Sequence, residues 1–290
     1  MTIRASTRLK VVIVGHSERP EASTVARRAV EWLLAHDHQA LAYPDDADAL
    51  GLADITILDD PTPGADLVLS VGGDGTMLRC VTMLNGAQVP VLGINVGHLG
   101  YLAEVEPEQM LTSLERFCAG DYEIEKRLVL DVTGSHQDGA PVVWRALNEA
   151  SIEKMHTGQT VRLAVSIDGV AFTTFQADGL LVATPTGSTA YSLSARGPVV
   201  SPTLEALLLT PLAPHMLFDR SLVLGPREVV RIEVVGPRPV GLAVDGQEVQ
   251  ILHAGESISC AASSQPALFV RMKPQRFHQI LKSKFGLSDR

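Results

Sequence analysis

The chain has 290 residues, more than one hydrophobic core usually serves, so two domains are expected. Hydrophobic residues make up 46% and charged ones 20%, which excludes a disordered chain. The net charge of -9, from 24 Lys and Arg against 33 Asp and Glu, argues against wrapping nucleic acid or docking on an anionic membrane. Small anions must then be held locally, by turns, metals and individual arginines.

Cys80, Cys118 and Cys260 are odd in number and far apart, which fits neither a disulfide framework nor a metal cluster and points to a reducing cytoplasm. The segment Met1 to Lys10 lacks the apolar core of a signal peptide, and the apolar region from Leu204 to Phe218 is broken by Pro211 and Pro214, so no membrane span is expected. The histidines show no zinc-site spacing, and His36 with His38 reads as a solvated helix end.

In chain order, Lys10 to Val14 is a compact apolar run, followed by Gly15-His16-Ser17 and a helical pattern of Ala22, Val25, Ala29, Trp32 and Leu33. Gln39 to Ala42 and Ile55 to Leu58 are further strand candidates, and Pro44 to Ala53 reads as a loop or short helix. Asp66 to Val71 suits a buried parallel strand. After it come Gly72-Gly73-Asp74-Gly75-Thr76 and then Met77, Leu78, Val81 and Leu84 at helical spacing. Val89 to Ile94 is a strand whose end carries Asn95-Val96-Gly97-His98-Leu99-Gly100-Tyr101-Leu102, and Glu108 to Phe117 is one more helix. Such alternation predicts a parallel sheet of Rossmann-like kind with helices on both faces and ligands at the strands' carboxyl ends.

The texture changes near residue 122. Short alternating runs follow, among them Leu128 to Val132, Val142 to Asn148, Val161 to Ile167 and Val170 to Phe175. Later runs are Arg220 to Leu224, Val229 to Val235, Gly241 to Val244 and Glu248 to Leu252, with Ser257 to Cys260 and Leu268 to Met272 finishing the pattern. Asp138-Gly139, Asp168-Gly169, Asp178-Gly179 and Asp245-Gly246 all read as hairpin turns. Phe277, Ile280, Leu281 and Phe285, with Arg276, Lys282 and Lys284 around them, predict a terminal helix. The expected domains are 1–121, an α/β nucleotide-binding domain, 122–272, a mostly β domain, and 273–290, a helix packing back on the first.

Three glycines around Asp74 at a strand-to-helix turn suggest a phosphate site, since glycine lets a ligand approach the backbone and a helix N-terminus favours an anion. The plain alternative is a turn in which Asp74 caps the helix through its side chain. A carboxylate beside phosphate needs a metal ion or a substrate hydroxyl between them, as a phosphotransferase would supply. The chain has neither a GxxxxGK[ST] loop nor a complete GxGxxG. Asn148-Glu149 could mark a bulge or a solvent face. Thr184-Pro185-Thr186-Gly187-Ser188-Thr189-Ala190-Tyr191-Ser192-Leu193-Ser194, at the mouth of an apolar strand, is rich in donors for ribose and phosphate oxygens.

Together, Gly72-Gly73-Asp74-Gly75-Thr76, the Asn95 to Leu102 segment, Asn148-Glu149, and Asp178-Gly179 through Tyr191 strongly resemble bacterial NAD kinases in order and spacing over nearly the whole chain. The first motif is shared with diacylglycerol kinases and phosphofructokinases. The Asn-Glu pair and the segment from Thr184 to Tyr191 narrow the resemblance. It implies ATP-dependent phosphorylation of the adenosine-ribose 2'-hydroxyl of NAD to give NADP, with a divalent cation, magnesium being the expected ion. It further implies polyphosphate as a possible second donor and a cytoplasmic homodimer or homotetramer.

By similarity, Asp74 contacts the acceptor hydroxyl and assists its deprotonation, while Gly72, Gly73, Gly75 and Thr76 bind phosphate. Asp74 and Gly75 with Asn148, Glu149, Asp178, Thr186, Thr189, Ala190, Tyr191, Ser194 and Asp245 bind NAD. No residue is assigned to the metal. Arg196 stands where the family usually has glycine, and Met216 and Ser221 depart from its usual pattern. The alternatives are a related kinase acting on a lipid or sugar hydroxyl, which leaves Asn148-Glu149 unexplained, and a non-catalytic NAD(P)-binding regulator, which leaves Asp74 unexplained.

Overall fold

The computed structural model describes residues 8–16, 19–52, 55–97, 100–135, 139–273 and 277–287. Ser17, Ala53, His98, Leu99, Asp138 and Arg276, used in the sequence reading, lie outside them. The chain divides into two compact units, Met1–Lys126 with Ala267–Arg290, and Arg127–Pro266.

The first unit runs β1 (Lys10–Gly15), α1 (Pro20–Ala35), β2 (Gln39–Ala42), α2 (Pro44–Leu50), β3 (Thr56–Ile57), β4 (Leu67–Gly72), α3 (Asp74–Leu84), β5 (Val91–Asn95), α4 (Met110–Cys118) and β6 (Glu123–Arg127). β1 pairs in parallel with β2 and β4, β2 with β3, and β4 with β5. All six residues of β4 and all five of β5 are buried, as continuous apolar runs of a covered parallel sheet should be. α1 begins with Pro20, whose missing N–H costs a first helical residue nothing, and buries Ala22, Val25, Ala26, Ala29, Val30 and Leu33. From β1 the chain moves outward to β2 and β3, then reverses to β4 and β5, so the sheet's switch point lies between β1 and β4. The buried Asp46 of α2 accepts the Gly15 N–H at 3.0 Å and pairs with Arg79 of α3, tying the end of β1 to the helix after β4.

The second unit contains β7 (Leu130–Ser135), β8 (Pro141–Ala146), β9 (Glu149–Lys154), β10 (Val161–Ile167), β11 (Val170–Ala177), β12 (Gly179–Ala183), α5 (Tyr191–Ser194), β13 (Leu207–Leu212), β14 (Leu222–Leu224), β15 (Val230–Val234), β16 (Val240–Val244), β17 (Gln247–Leu252) and β18 (Ser257–Ala262). Two sheets of six strands result, ordered β11-β10-β15-β18-β7-β8 and β14-β13-β12-β9-β16-β17. Their inward residues, such as Val132, Leu163 and Ile232 from one and Ile152, Leu180 and Leu242 from the other, share one core.

The four Asp-Gly pairs, alike in sequence, differ in the fold. Asp168 (φ 50°) with Gly169 (φ 77°) and Asp245 (φ 48°) with Gly246 (φ 79°) form the left-handed pairs of a type I′ hairpin turn. Asp178-Gly179 is not a hairpin: β11 and β12 lie in different sheets, and neither residue has a positive φ. A Cβ at Gly179 would lie 3.1 Å from Glu153 Cα and closer still to the Ile152 carbonyl, so glycine is there for close strand approach. Of the Asp138 pair only Gly139 is described, with φ 84°.

The chain returns to the first unit as β19 (Ala267–Arg271) and α6 (Phe277–Lys284). β19 lies between β5 and β6, with Phe269 in parallel register with Val91. The sequence reading gives residues from 122 and the strand to 272 to the β domain; in the structure β6 and β19 belong to the seven-stranded sheet of the first unit. An apolar run of this length fits a sandwich strand and a buried parallel strand equally, so periodicity could not assign it. In α6, Lys284 Nζ sits 4.3 Å from the centroid of the Tyr101 ring.

Arg271 of β19 is 4% exposed. Its Nε and Nη2 donate to Glu125 Oε1 at 3.1 and 2.8 Å, and its Nη1 donates to the Leu102 carbonyl at 2.9 Å and lies 3.5 Å from Glu104. Burial raises the pKa of Glu104 despite the opposing pull of Arg271. Replacing Arg271 by Met strands carboxylates without their guanidinium and is expected to cost about 3 kcal/mol, read from urea unfolding. A loss below about 0.5 kcal/mol, the scale of an exposed pair, would show that the network adds nothing net.

Candidate functional site

β4 ends at Gly72, Gly73 is the N-cap of α3 with extended backbone, and Asp74 is its first residue. The glycines do different work. A Cβ at Gly72 would lie 2.8 Å from Thr76 Cβ and overlap its hydroxyl, so Gly72 admits the buried Thr76 beneath the turn. Gly73 and Gly75 have nothing within 4 Å of a built Cβ, which leaves their backbone open to a ligand. The carbonyl of Gly72 accepts the Val96 N–H at 3.0 Å.

Asp74 does not cap its own helix; no side-chain cap bond is made there. Its carboxylate accepts the Tyr101 N–H at 2.8 Å on Oδ2 and the Leu102 N–H at 2.9 Å on Oδ1. A Cβ at Gly100 would lie 2.8 Å from Asp74 Cγ, so glycine at 100 makes room for the carboxylate. The two glycine motifs therefore form one structure at the sheet's carboxyl rim, the second seating the acid of the first.

In the second unit, Asp245 acts from its hairpin turn as a clamp. Its carboxylate accepts the N–H groups of Leu147 at 2.8 Å, Asn148 at 2.7 Å and Glu149 at 3.1 Å. These bonds favour its charged form, but burial outweighs them and its pKa is raised. Asn148 and Glu149 mark neither a bulge nor a solvent face. They lie where the chain leaves β8 for β9 in the other sheet, and Glu149 is buried.

The Thr184 to Ser194 segment packs on the same backbone. Thr184 donates its hydroxyl to the Leu147 carbonyl at 2.5 Å and its N–H to the Asn148 carbonyl at 2.8 Å, while its Oγ1 accepts the Gly187 N–H at 3.1 Å. A Cβ at Gly187 would lie 2.8 Å from Asn148 Cα. Thr186 accepts from buried Arg127 at 3.3 Å, and Thr189 donates to the Thr186 carbonyl at 3.2 Å. Gly187–Thr189 is a 3-10 turn, followed by Ala190 and α5, where Tyr191 and Ser194 are exposed. Tyr191 donates its hydroxyl to Glu153 at 2.9 Å, and the next residue on β9, Lys154, pairs with Asp178 at 2.6 Å. The sequence predicted Asp178 and Tyr191 but not these partners. Alternation along β9 puts Glu149 and Glu153 on one face, a signal that becomes usable only once β9 is known to start at Glu149.

Thus Asn148, Glu149, Thr186, Thr189, Ala190, Tyr191 and Asp245 form one constellation, with Asp178 joined through β9. Gly72 to Thr76 form the other with residues 95–102. Among the described residues no three His, Cys, Asp or Glu side chains are grouped to hold a metal ion. A cavity of about 520 Å³ in the first unit, lined by Glu104, Glu108, Arg116, Lys273 and Gln279 among others, includes none of the predicted site residues.

The pKa of Glu149 is pushed up to about 7 by burial first and by Asp245 second, with the Tyr191 backbone N–H opposing. That of Tyr191 is pushed up to about 12 by burial and by Glu153. A carboxyl whose folded pKa exceeds its unfolded value disfavours the fold as pH rises from about 4.5 through about 7, because the folded state then loses a proton it holds more tightly. Glu149→Gln should therefore stabilise the ligand-free protein at pH 8 relative to pH 4.5. Thermal melts of the variant and the parent at both pH values test this, and a difference independent of pH contradicts it.

Arg196 has φ 62°, which accounts for glycine being usual there in the resembling family. Relief of left-handed strain, about 1–2 kcal/mol, exceeds the added chain entropy of glycine, about 0.5–1 kcal/mol. Arg196→Gly should then stabilise by about 0.5–1 kcal/mol in urea unfolding, and an unchanged or lower midpoint contradicts the account. The other departures are absorbed: Met216 packs on the core, and Ser221 Oγ lies 2.9 Å from Thr210 Oγ1.

Residues 57–122 match the family model of the ATP-NAD kinase N-terminal domain, and residues 147–272 that of the ATP-NAD kinase C-terminal domain. The chain belongs to the ATP-NAD kinase family. Over 279 residues it is 39% identical to the NAD kinase of Symbiobacterium thermophilum, covering 96% of this chain and 99% of that protein. It is 36% identical over 276 residues to that of Moorella thermoacetica, covering 95% and 88%. Among solved structures it resembles yeast NADH kinase complexed with NADH, with a TM-score of 0.89 at 26% identity over 98% of this chain and 90% of that one. An Archaeoglobus fulgidus NAD kinase in complex with ATP gives 0.73 at 25% identity over 97% and 100%. Both glycine constellations of this ATP-NAD kinase family member, and the clamp at residues 147–149, fall wholly or largely inside the matched segments.

Proposed function

We propose that this chain is an NAD kinase, transferring the γ-phosphate of ATP to the 2'-hydroxyl of the adenosine ribose of NAD to give NADP. The observation that carries this reading is the joint match of both halves of the chain to ATP-NAD kinase domains, with an aspartate fixed at the open-backbone turn of the first.

Asp74 meets the acceptor hydroxyl. Phosphoryl transfer has a loose transition state, so alignment and charge neutralisation matter more than base strength, and a carboxylate pinned by two amides is suited to orient the hydroxyl first and take its proton late. The open amides of Gly73 and Gly75 and the head of α3 face the donor phosphates, with Gly72 and Thr76 shaping the turn from below. In the second unit Asn148, Glu149, Asp178, Thr186, Thr189, Ala190, Tyr191 and Ser194 bind NAD, and Asp245 acts through the backbone of residues 147–149.

A divalent cation fits this chain as an ion carried on the donor's phosphates, with Asp74 as the carboxylate the turn offers, since magnesium commonly takes one or two protein carboxylates with substrate phosphates and water. When bound, it neutralises charge on the transferring group. Polyphosphate is a further donor under this reading. Exposed Phe172, Leu217, Phe218 and Val223 support self-association into a homodimer or homotetramer. Among the described residues no helix is long and apolar enough to cross a membrane, and the cytoplasm is the proposed site of action.

Purified protein with NAD, ATP and magnesium should form NADP, measured enzymatically. Asp74→Asn should abolish turnover while NAD binding stays within about tenfold, since the substitution removes charge but not volume. An unaltered rate in that variant would refute the role given to Asp74.

A further inference from the structure

Arg19 follows β1 and lies in neither strand nor helix. Its Nη1 donates to the carbonyl of Val96, just past the end of β5. β1 and β5 are the strands that flank β4, so a bond from the segment after β1 to the segment after β5 is made at the end of the sheet where the Gly72 to Thr76 turn begins. That end lies beside the sheet's switch point, the place where α/β sheets collect ligands.

The segment after β5 is shaped to receive it. Gly97 has φ 134°, and a Cβ there would lie 2.9 Å from Arg19 Cζ and overlap Nη1. Gly100 makes the corresponding room for the Asp74 carboxylate. One segment thus seats a cation and an anion through two missing side chains. Among the described residues no carboxylate pairs with Arg19, whereas Arg79, the cation on α3, is engaged by Asp46. A guanidinium carries five N–H donors in a planar fork, a match for phosphate oxygens, and Val96 occupies one nitrogen.

We propose that Arg19 binds the terminal phosphoryl group of the donor above the Gly72 to Thr76 turn, holding it on one part of its fork while another part stays on Val96. The inference rests on the NAD kinase reading. It explains how a turn carrying Asp74, in a chain of net charge -9, accepts a polyanion. A guanidinium that bonds both a phosphate and the segment after β5 also links donor occupancy to the stretch that seats Asp74.

The test is steady-state kinetics in both substrates for the parent, Arg19→Gln and Arg19→Lys, with unfolding midpoints. Gln can still donate to the Val96 carbonyl but carries no charge; Lys keeps the charge without the fork. The expected result is a loss in kcat/KM for ATP of about 10- to 100-fold in Arg19→Gln, the range of a hydrogen bond to a charged group. Arg19→Lys should be intermediate, and the KM for NAD and the unfolding midpoint should be little changed in both. Full recovery in Arg19→Gln, or equal losses toward ATP and NAD with a lowered midpoint, would leave Arg19 only a loop support and overturn the inference. If the parent makes no NADP, the kinase reading falls separately, and titration calorimetry with ATP then decides: equal dissociation constants for parent and Arg19→Gln overturn the phosphate role.

Discussion

Two backbone amides, from Tyr101 and Leu102, hold the carboxylate of Asp74 at 2.8 and 2.9 Å. Much of the first unit is arranged to keep them there. Gly100 lacks a side chain because Asp74 fills that space, and Gly72 lacks one because Thr76 fills its own. The carbonyl of Leu102 is fixed by Arg271, which the last strand delivers from a point 169 residues away in sequence. Two backbone amides aligned on one carboxylate fix its direction without a counter-charge, so the acid is oriented before any ligand arrives. For a reaction that depends on placement more than on proton affinity, such an acid is well suited.

The second unit solves a related problem with the same residue type. Asp245 sits in a left-handed turn whose backbone a type I′ hairpin requires, and its side chain is spent on three successive amides of the β8 to β9 crossing. One residue thus sets a turn and fixes the segment bearing Asn148 and Glu149. The cost appears in Glu149 itself, whose burial near Asp245 drives its pKa upward. Buried acids in proximity are tolerated where a ligand supplies donors, consistent with the dinucleotide-binding role proposed for this cluster.

The strand-turn-helix at Gly72 and the shift from alternating β and α elements to short strands were legible because they rest on local periodicity and turn chemistry. Four Asp-Gly pairs looked alike, and only the fold separates two hairpin turns from the sheet crossing at Asp178, because local sequence does not record which sheet the next strand joins. Glu149 was legible as a motif but not as a buried strand residue. Arg19 and Arg271 carried no signal, since each acquires its partner through long-range topology, and the alternation that places Glu153 beside Glu149 is readable only once the start of β9 is known. Asp74 was legible as a residue of consequence, but its seat was not: the amides that hold it lie in the other glycine motif.

The insertion of β19 between β5 and β6 bears on how the molecule is made. A ribosome releases residues 1–127 long before it reaches Ala267, and until then the sheet has a gap where two strands should meet through a third. The sandwich, contiguous from Arg127 to Pro266, is free to close first. The Asp74 half of the molecule gains β19, and with it the Arg271 brace, only once Ala267 to Arg271 emerge. Competence for chemistry therefore waits on β19, and a nascent chain stalled before Ala267 would have a sheet with unpaired edges, open to association with other incomplete copies.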